Sequence, residues 1–229
     1  MRSRAIVWTR AGPSMLGAIA LGAAMLGASL PATAADLAIR VGDGRRPVAD
    51  AVVMVAPADG ASRAPVTALP ATAAIDQRDL RFVPHVQVAR PGAAAVFRNS
   101  DHTRHHIYSF SPAATFEMVL GPGERSGRVP LEAPGVIAVG CNIHDQMIAW
   151  LVVSDAPWVA RTGADGAVAF RALAAGDYRV RVWHPRLDAA GEGIERRVRI
   201  GADGAAASLD VALPLRADVR APDAERADY

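Results

Sequence analysis

The chain of 229 residues contains one cysteine, Cys141, and no lysine at all. A single thiol leaves no partner for a disulfide within the chain. In an oxidising compartment it would have to be buried, reactive or occupied by a metal. Every cationic side chain is arginine, and the arginines are scattered through alternating patterns rather than gathered into a basic stripe, which argues against nucleic acid as a partner. A convincing helical period is missing beyond the first 35 residues. So is a second apolar run long enough to span a membrane.

Met1-Arg2-Ser3-Arg4 and Arg10 precede an uncharged apolar stretch from Ala11 to Ala35, with Ala32-Thr33-Ala34 just before the first acid, Asp36. A positive head, an apolar body and a small-x-small site make residues 1 to 34 a secretory signal peptide, which predicts a periplasmic protein with no stable membrane insertion after cleavage. A retained anchor is the alternative reading of the same segment. Removing Arg2, Arg4 and Arg10 and no acid turns the formal charge of +2 into −1, so the basic isoelectric point belongs to the leader. The remaining ~195 residues suffice for one large domain or two small ones.

Alternation of apolar and polar residues recurs at Leu37, Ile39 and Val41; at Leu80, Phe82, Val86 and Val88; at Phe116, Met118 and Leu120; at Tyr178, Val180 and Val182; and at Leu209, Val211 and Leu213. Turn signals such as Gly42-Asp43-Gly44, Gly121-Pro122-Gly123 and Ala175-Gly176-Asp177 separate these runs. Short strands at this spacing predict an all-β protein made of sandwiches. Residues 57 to 74 read as a linker rich in Ala, Pro, Ser and Thr, and residues 215 to 229 as a disordered tail.

Residues 37 to 56, with "RRPVADAVVMV", and residues 157 to 214, with "TGADGAVAF" and "GDYRVRV", resemble the two parts of one small sandwich, the carboxypeptidase regulatory-like or transthyretin-like domain. That resemblance implies that the middle of the chain is inserted into the sandwich; two separate small units flanking the middle are the alternative.

The middle segment holds the chemistry. His105 stands in "NSDHTRHHIYSF", and 36 residues later Cys141 ends a strand in "VIAVGCNIHDQMIAWLVV", with His144 and Met147 in the loop that follows. A thiolate, two imidazoles and a thioether are the donor set of a type 1 (blue) copper site, with His₂Cys in a plane and a weak axial Met. Zinc is a poorer match, because structural zinc sites recruit more thiolates and make no use of a thioether. A Cys-His nucleophile lacks any accompanying oxyanion hole or general acid, so no enzyme activity is expected.

At these residues the segment from 75 to 156 resembles the cupredoxins. "RHHIYSF" is similar to the plastocyanin-type strand that begins at a histidine ligand, Cys-x-x-His-x-x-Met has the loop spacing of amicyanin, and "RFVPHVQVARPGAAAVFRNSD" resembles the lead-in of the same domain. With the flanking sandwich, the whole resembles periplasmic proteins called methylamine-utilization or plastocyanin-like. The resemblance implies a Greek-key β-sandwich holding one type 1 copper ion on His105, Cys141, His144 and Met147. It also implies single-electron transfer, as a monomer, with a redox protein such as a cytochrome c or a dehydrogenase. A protein that binds or carries copper without electron transfer is the alternative. The sequence departs from the family at His106, where amicyanin and plastocyanin have Asn. Strand alternation points the rings of His105 and His106 in opposite directions, so only one of them can face the ion.

Among the other histidines, His85 and His102 are expected to be solvated and His184 structural. Trp150, Trp158 and Trp183 are expected to pack in a core or between sandwiches. Asn99 is a candidate hydrogen bonder behind the ligands, and Asp145 and Gln146 fill the ligand loop.

Overall fold

The computed structural model describes residues 34–60, 67–187 and 193–218, so the leader lies outside the described residues except for Ala34. Among the described residues are sixteen strands and no helix: the protein is all-β. The first eight are β1 (Ala34–Gly42), β2 (Val52–Pro57), β3 (Thr72–Arg78), β4 (Arg81–Val83), β5 (Val86–Ala89), β6 (Ala93–Asn99), β7 (His105–Ser111) and β8 (Ala114–Leu120). The rest are β9 (Val129–Leu131), β10 (Gly135–Cys141), β11 (Ile148–Val153), β12 (Trp158–Arg161), β13 (Ala167–Ala174), β14 (Gly176–Trp183), β15 (Ile194–Ile200) and β16 (Ala207–Ala212).

They form four sheets, ordered β13-β1-β16 (sheet I), β12-β2-β14-β15 (sheet II), β5-β11-β10-β7-β8 (sheet III) and β4-β3-β6-β9 (sheet IV). Sheets I and II thus draw their strands from both ends of the chain, while sheets III and IV use only the segment between β2 and β12. Strand alternation explains the layering. In β1, Leu37, Ile39 and Val41 are buried and their neighbours exposed; in β14, Tyr178, Val180 and Val182 face one side while Arg179 and Arg181 face the other.

One apolar cluster, including Leu37, Ile39, Val55, Trp158, Phe170 and Tyr178, lies between sheets I and II. A second, including Ile75, Phe97, Ile107, Ile137, Leu151 and Met147, lies between sheets III and IV. A smaller third cluster joins the two sandwiches: Val52, Val159 and Trp183 of sheet II meet Val86 and Val152 of sheet III, with Trp150 edge-on to Trp183 at 5.6 Å. The stacking order is therefore I, II, III, IV, within one compact unit. Each Val, Leu or Ile buried in these layers stabilises the fold by about 1.5–3 kcal/mol relative to exposure.

Three details differ from the sequence reading. The run Leu80 to Val88 is not one strand: Leu80 sits exposed in a turn, Phe82 belongs to β4 in sheet IV, and β5 belongs to sheet III. Pro84 between them has no N–H to continue a ladder, so the chain changes sheets there. The stretch from 67 to 74 is not free linker, because Thr67 donates its N–H to the Pro157 carbonyl, Leu69 packs against the inter-sandwich cluster and β3 begins at Thr72. At the other end Leu215 packs on the first core and Arg216 exchanges hydrogen bonds with Arg186, while residues 219–229 lie outside the described residues.

Arg90 fastens this connection. Its guanidinium donates to the carbonyls of Thr67, Ser154, Ala156 and Pro157, the Ser154 and Pro157 bonds measuring 3.0 and 3.1 Å. A planar fork with five N–H groups can serve four carbonyls at once; a lysine ammonium cannot. Burial lowers the Arg90 pKa, opposed by the nearby charge of Asp155. Arg90→Ala is expected to lower the free energy of unfolding by about 2–4 kcal/mol, since it orphans several partly buried carbonyls. Arg90→Lys should recover less than half of that loss. Urea unfolding with an unchanged slope checks this, and a change in Arg90→Ala below about 0.5 kcal/mol would contradict the clamp.

Candidate metal centre

The site lies at one end of the sandwich formed by sheets III and IV, where β7 begins and β10 ends. In β7 alternate residues face the core: His105, Ile107 and Ser109 are buried, and His106, Tyr108 and Phe110 face out. Antiparallel pairing sets Cys141 opposite Ile107, which carries the end of β10 to the His105 end of β7. The loop after Cys141 turns back at once, closed by the Met147 N–H donating to the His144 carbonyl at 3.0 Å and the Cys141 N–H donating to the Met147 carbonyl at 3.2 Å.

This folding brings His105, Cys141 and His144 together, with one ligand atom from each lying within 4.8 Å of the others. The Cys141 Sγ is 3.8 Å from His105 Nδ1 and 3.8 Å from His144 Nδ1. Imidazole and thiolate donors bound to one transition-metal ion at about 2.0 and 2.3 Å stand about 3.5–3.7 Å apart, so a small inward movement would let all three reach a single ion. The donor set suits a borderline or soft transition metal and not magnesium or calcium, which take oxygen. His105 is fully buried, Cys141 is 4% exposed and His144 is half-buried. Met147 is buried in the same core cluster as Cys141. Asp145 and Gln146 are exposed.

His106 is turned away from the cluster. Its Nε2–H donates to Glu117 at 2.6 Å, Asn142 Nδ2 lies 3.5 Å from its Nδ1, and its backbone carbonyl accepts the Asn142 N–H at 2.9 Å. It therefore steadies the ligand loop from outside the cluster, while His105 stands inside it. Gly140 is needed for the same packing, because a β-carbon there would meet the Tyr108 ring at 2.8 Å.

The residue that sequence reasoning passed over is Asp101. Its Oδ2 accepts from His105 Nε2–H at 2.9 Å. This fixes the tautomer, because a proton held on Nε2 leaves the Nδ1 lone pair bare and facing Cys141. The same carboxylate accepts the N–H groups of Asp79 at 2.6 Å and Leu80 at 3.2 Å, the two left-handed residues (φ 53° and 55°) of the turn between β3 and β4. Burial raises the Asp101 pKa, but the hydrogen bond and charge of His105 and the amides of Leu80 and Asp79 outweigh it, and the net direction is down. Asn99 holds Asp101 in turn: fully buried, it accepts the Asp101 N–H at 2.9 Å and donates to the carbonyls of Thr103 and Leu120 at 2.7 and 3.0 Å. The signal for Asp101 in the sequence is its place four residues before His105 in the Asn-x-Asp lead-in.

The remaining candidates lie away from the cluster. His102 is exposed. His85 is not simply solvated: its ring is half-buried and its Nδ1 donates to the Ile148 carbonyl at 3.0 Å. His184 is buried, accepts the Arg186 N–H at Nδ1, and has its pKa pushed down to about 4, chiefly by burial and then by the charge of Arg186. Trp158 packs edge-on to Tyr178 inside the first sandwich, and Trp150 and Trp183 pack between the two.

No protein-family model matches this chain, and no curated protein matches it. Among solved structures it is similar to a copper-containing nitrite reductase from Thermus scotoductus, at 24% identity over 38% of this chain and a TM-score of 0.33. It spans only 23% of that reductase. A purple cupredoxin from Nitrosopumilus maritimus is similar at 21% identity, covering 36% of this chain and 99% of its own length, with a TM-score of 0.32. Amicyanin from Paracoccus versutus is similar at 13% identity, covering 44% of this chain and 98% of its own, with a TM-score of 0.34.

Proposed function

We propose that the chain is a periplasmic type 1 copper protein that carries single electrons between redox partners and catalyses no reaction of its own. In this reading His105 Nδ1, Cys141 Sγ and His144 Nδ1 bind one copper ion, and Met147 supplies the weak fourth donor. The observation that carries it is the burial pattern of the His-Cys-His cluster: two donors closed off from solvent and the third, His144, half-buried. The bound ion would supply a one-electron couple between Cu(II) and Cu(I), for which a thiolate with imidazoles suits both states.

The protein's own part is to hold the donors still. Asp101 fixes the ring and tautomer of His105, the hydrogen bonds from Cys141 and Met147 close the ligand loop, and His106 with Asn142 ties that loop to β7. A centre held in this way has little freedom to rearrange when its charge changes, which favours fast electron transfer. It also disfavours handing the ion to another protein, since three of its four donors, His105, Cys141 and Met147, are buried. His144, with Ile143 beside it 48% exposed, forms the edge at which a partner such as a cytochrome c or a dehydrogenase would meet the centre. We assign sheets III and IV, from Thr72 at the start of β3, to the cupredoxin domain expected over residues 75 to 156, and sheets I and II to a carboxypeptidase regulatory-like sandwich into which it is inserted.

Four variants test this reading. Cys141→Ser should lose both the intense visible absorption of a copper-thiolate and tight copper binding, because a hydroxyl is neither soft nor ionised at neutral pH; retention of either would contradict the assignment. Met147→Leu should keep its copper and show a higher midpoint in voltammetry, since loss of the axial donor destabilises Cu(II) more than Cu(I). A lower or unchanged midpoint would take Met147 out of the axial role, and loss of the metal would point to a copper-carrying protein instead. Asp101→Ala should weaken copper binding about 10–100-fold by freeing the His105 ring. Asp101→Asn keeps an acceptor for Nε2–H and should restore most of the affinity; equal loss in both would show that the charge, and not the positioning, matters.

A further inference from the structure

Away from the His-Cys-His cluster, a cleft opens beside the contact between sheets II and III. One cavity of about 350 Å³ has Met54, Arg179 and Arg181 on the sheet II side and Ser154 to Pro157 on the other. An adjoining cavity of about 240 Å³ shares Met54, Asp155 and Arg181 with it and continues over Val136 and Trp183. Together they fall in the range of small-molecule sites, about 300–1,000 Å³. The Ser154 to Pro157 wall is held by Arg90, so the cleft is formed in advance.

The charge pattern beside the cleft is unusual. On the outward face of β14 and β15 the cross-strand pairs are Asp177 with Arg199, Arg179 with Arg197, and Arg181 with Glu195. The first and last are ion pairs, at 3.5 and 3.4 Å. The middle pair sets two arginines directly opposite each other, and among the described residues neither side chain has an ion pair or a hydrogen bond. Like charges opposite one another destabilise a sheet unless something lies between them to offset the repulsion. Of the two acids at the cleft, Glu195 pairs with Arg181, and Asp155 lies exposed on the opposite wall.

We propose that this cleft binds an amphipathic organic anion, its charged group held at the rim by Arg179 and by Arg197, which stands outside the cavity opposite Arg179, and its apolar body lying over Met54 toward Trp183. The span from Arg179 to Trp183 along β14 is four residues, about 13 Å, which sets the length of the apolar body. A medium-chain carboxylate meets that description, whereas inorganic sulfate supplies the charge and no body. The site is independent of copper and would work in metal-free protein.

Titration of the full-length protein with anilinonaphthalene sulfonate, with dodecanoate, dodecanol and sulfate as competitors, tests this. The expected result is saturable binding at one site per chain, displaced by dodecanoate and not by equal concentrations of dodecanol or sulfate. Affinity should fall tenfold or more in Arg179→Gln and Arg197→Gln, and stay unchanged in Arg171→Gln, whose side chain is exposed on β13. The melting temperature of Arg179→Gln should equal or exceed that of the wild type, because a repulsion has been removed. Absent or non-saturable binding, displacement by dodecanol as effective as by dodecanoate, unchanged affinity in the two cleft variants, or a lower melting temperature for Arg179→Gln would each overturn the proposal.

Discussion

Asp101 accepts three N–H groups from two elements, and the geometry of the His-Cys-His cluster follows from them. The amides of Asp79 and Leu80 come from a turn in sheet IV and the ring of His105 from the head of a strand in sheet III, so one carboxylate joins the two sheets at the end where the ligands lie. Two consecutive left-handed non-glycine residues are costly in a turn, and Leu80 more so than Asp79. The carboxylate offsets that cost by satisfying both of their amides. Because it also accepts the Nε2–H of His105, the other ring nitrogen is left bare toward Cys141. The orientation of this ring is thus set by the protein's own hydrogen bonds.

Around that point the architecture is a matter of which faces are apolar. Sheets II and III each have two buried faces in their middle, since each packs against its sandwich partner on one side and against the other across the Trp150 and Trp183 contact. Away from the contact the outward residues become polar, as in the row of arginines on β14 and β15. Arg90 is the complementary device on the connecting segments: in the crossing from β11 to β12 it donates to the Ser154 and Ala156 carbonyls and shares that of Pro157 with the Thr67 N–H. The same crossing forms one wall of the cleft, so the joint between sandwiches and the cleft beside it have a common origin.

Much of this was legible in the sequence because it rests on period two. The alternation in β1, β8, β14 and β16 gave their inward faces, and the spacing of Cys141, His144 and Met147 marked the loop that carries these three candidate ligands. What alternation cannot show is which distant strand supplies a partner. Asp101 lies in a loop, where no period applies, and its role depends on a turn some twenty residues earlier. The run from Leu80 to Val88 kept its alternation across Pro84 although the chain changed sheets there. His85 looked exposed because its partner is a backbone carbonyl, Ile148, on a strand 63 residues away. Leu69 and Arg216 sit in stretches of linker-like composition, yet each makes a long-range contact that composition does not report.

X-ray absorption at the copper edge, on the copper-loaded protein in its oxidised and reduced forms, bears most directly on the central claim that the fold holds a His-Cys-His centre ready for one-electron transfer. The account predicts two nitrogen neighbours and one short sulfur in both forms, with metal-ligand distances that barely change on reduction. Absence of the short sulfur, or a large change of coordination between the two forms, would contradict it.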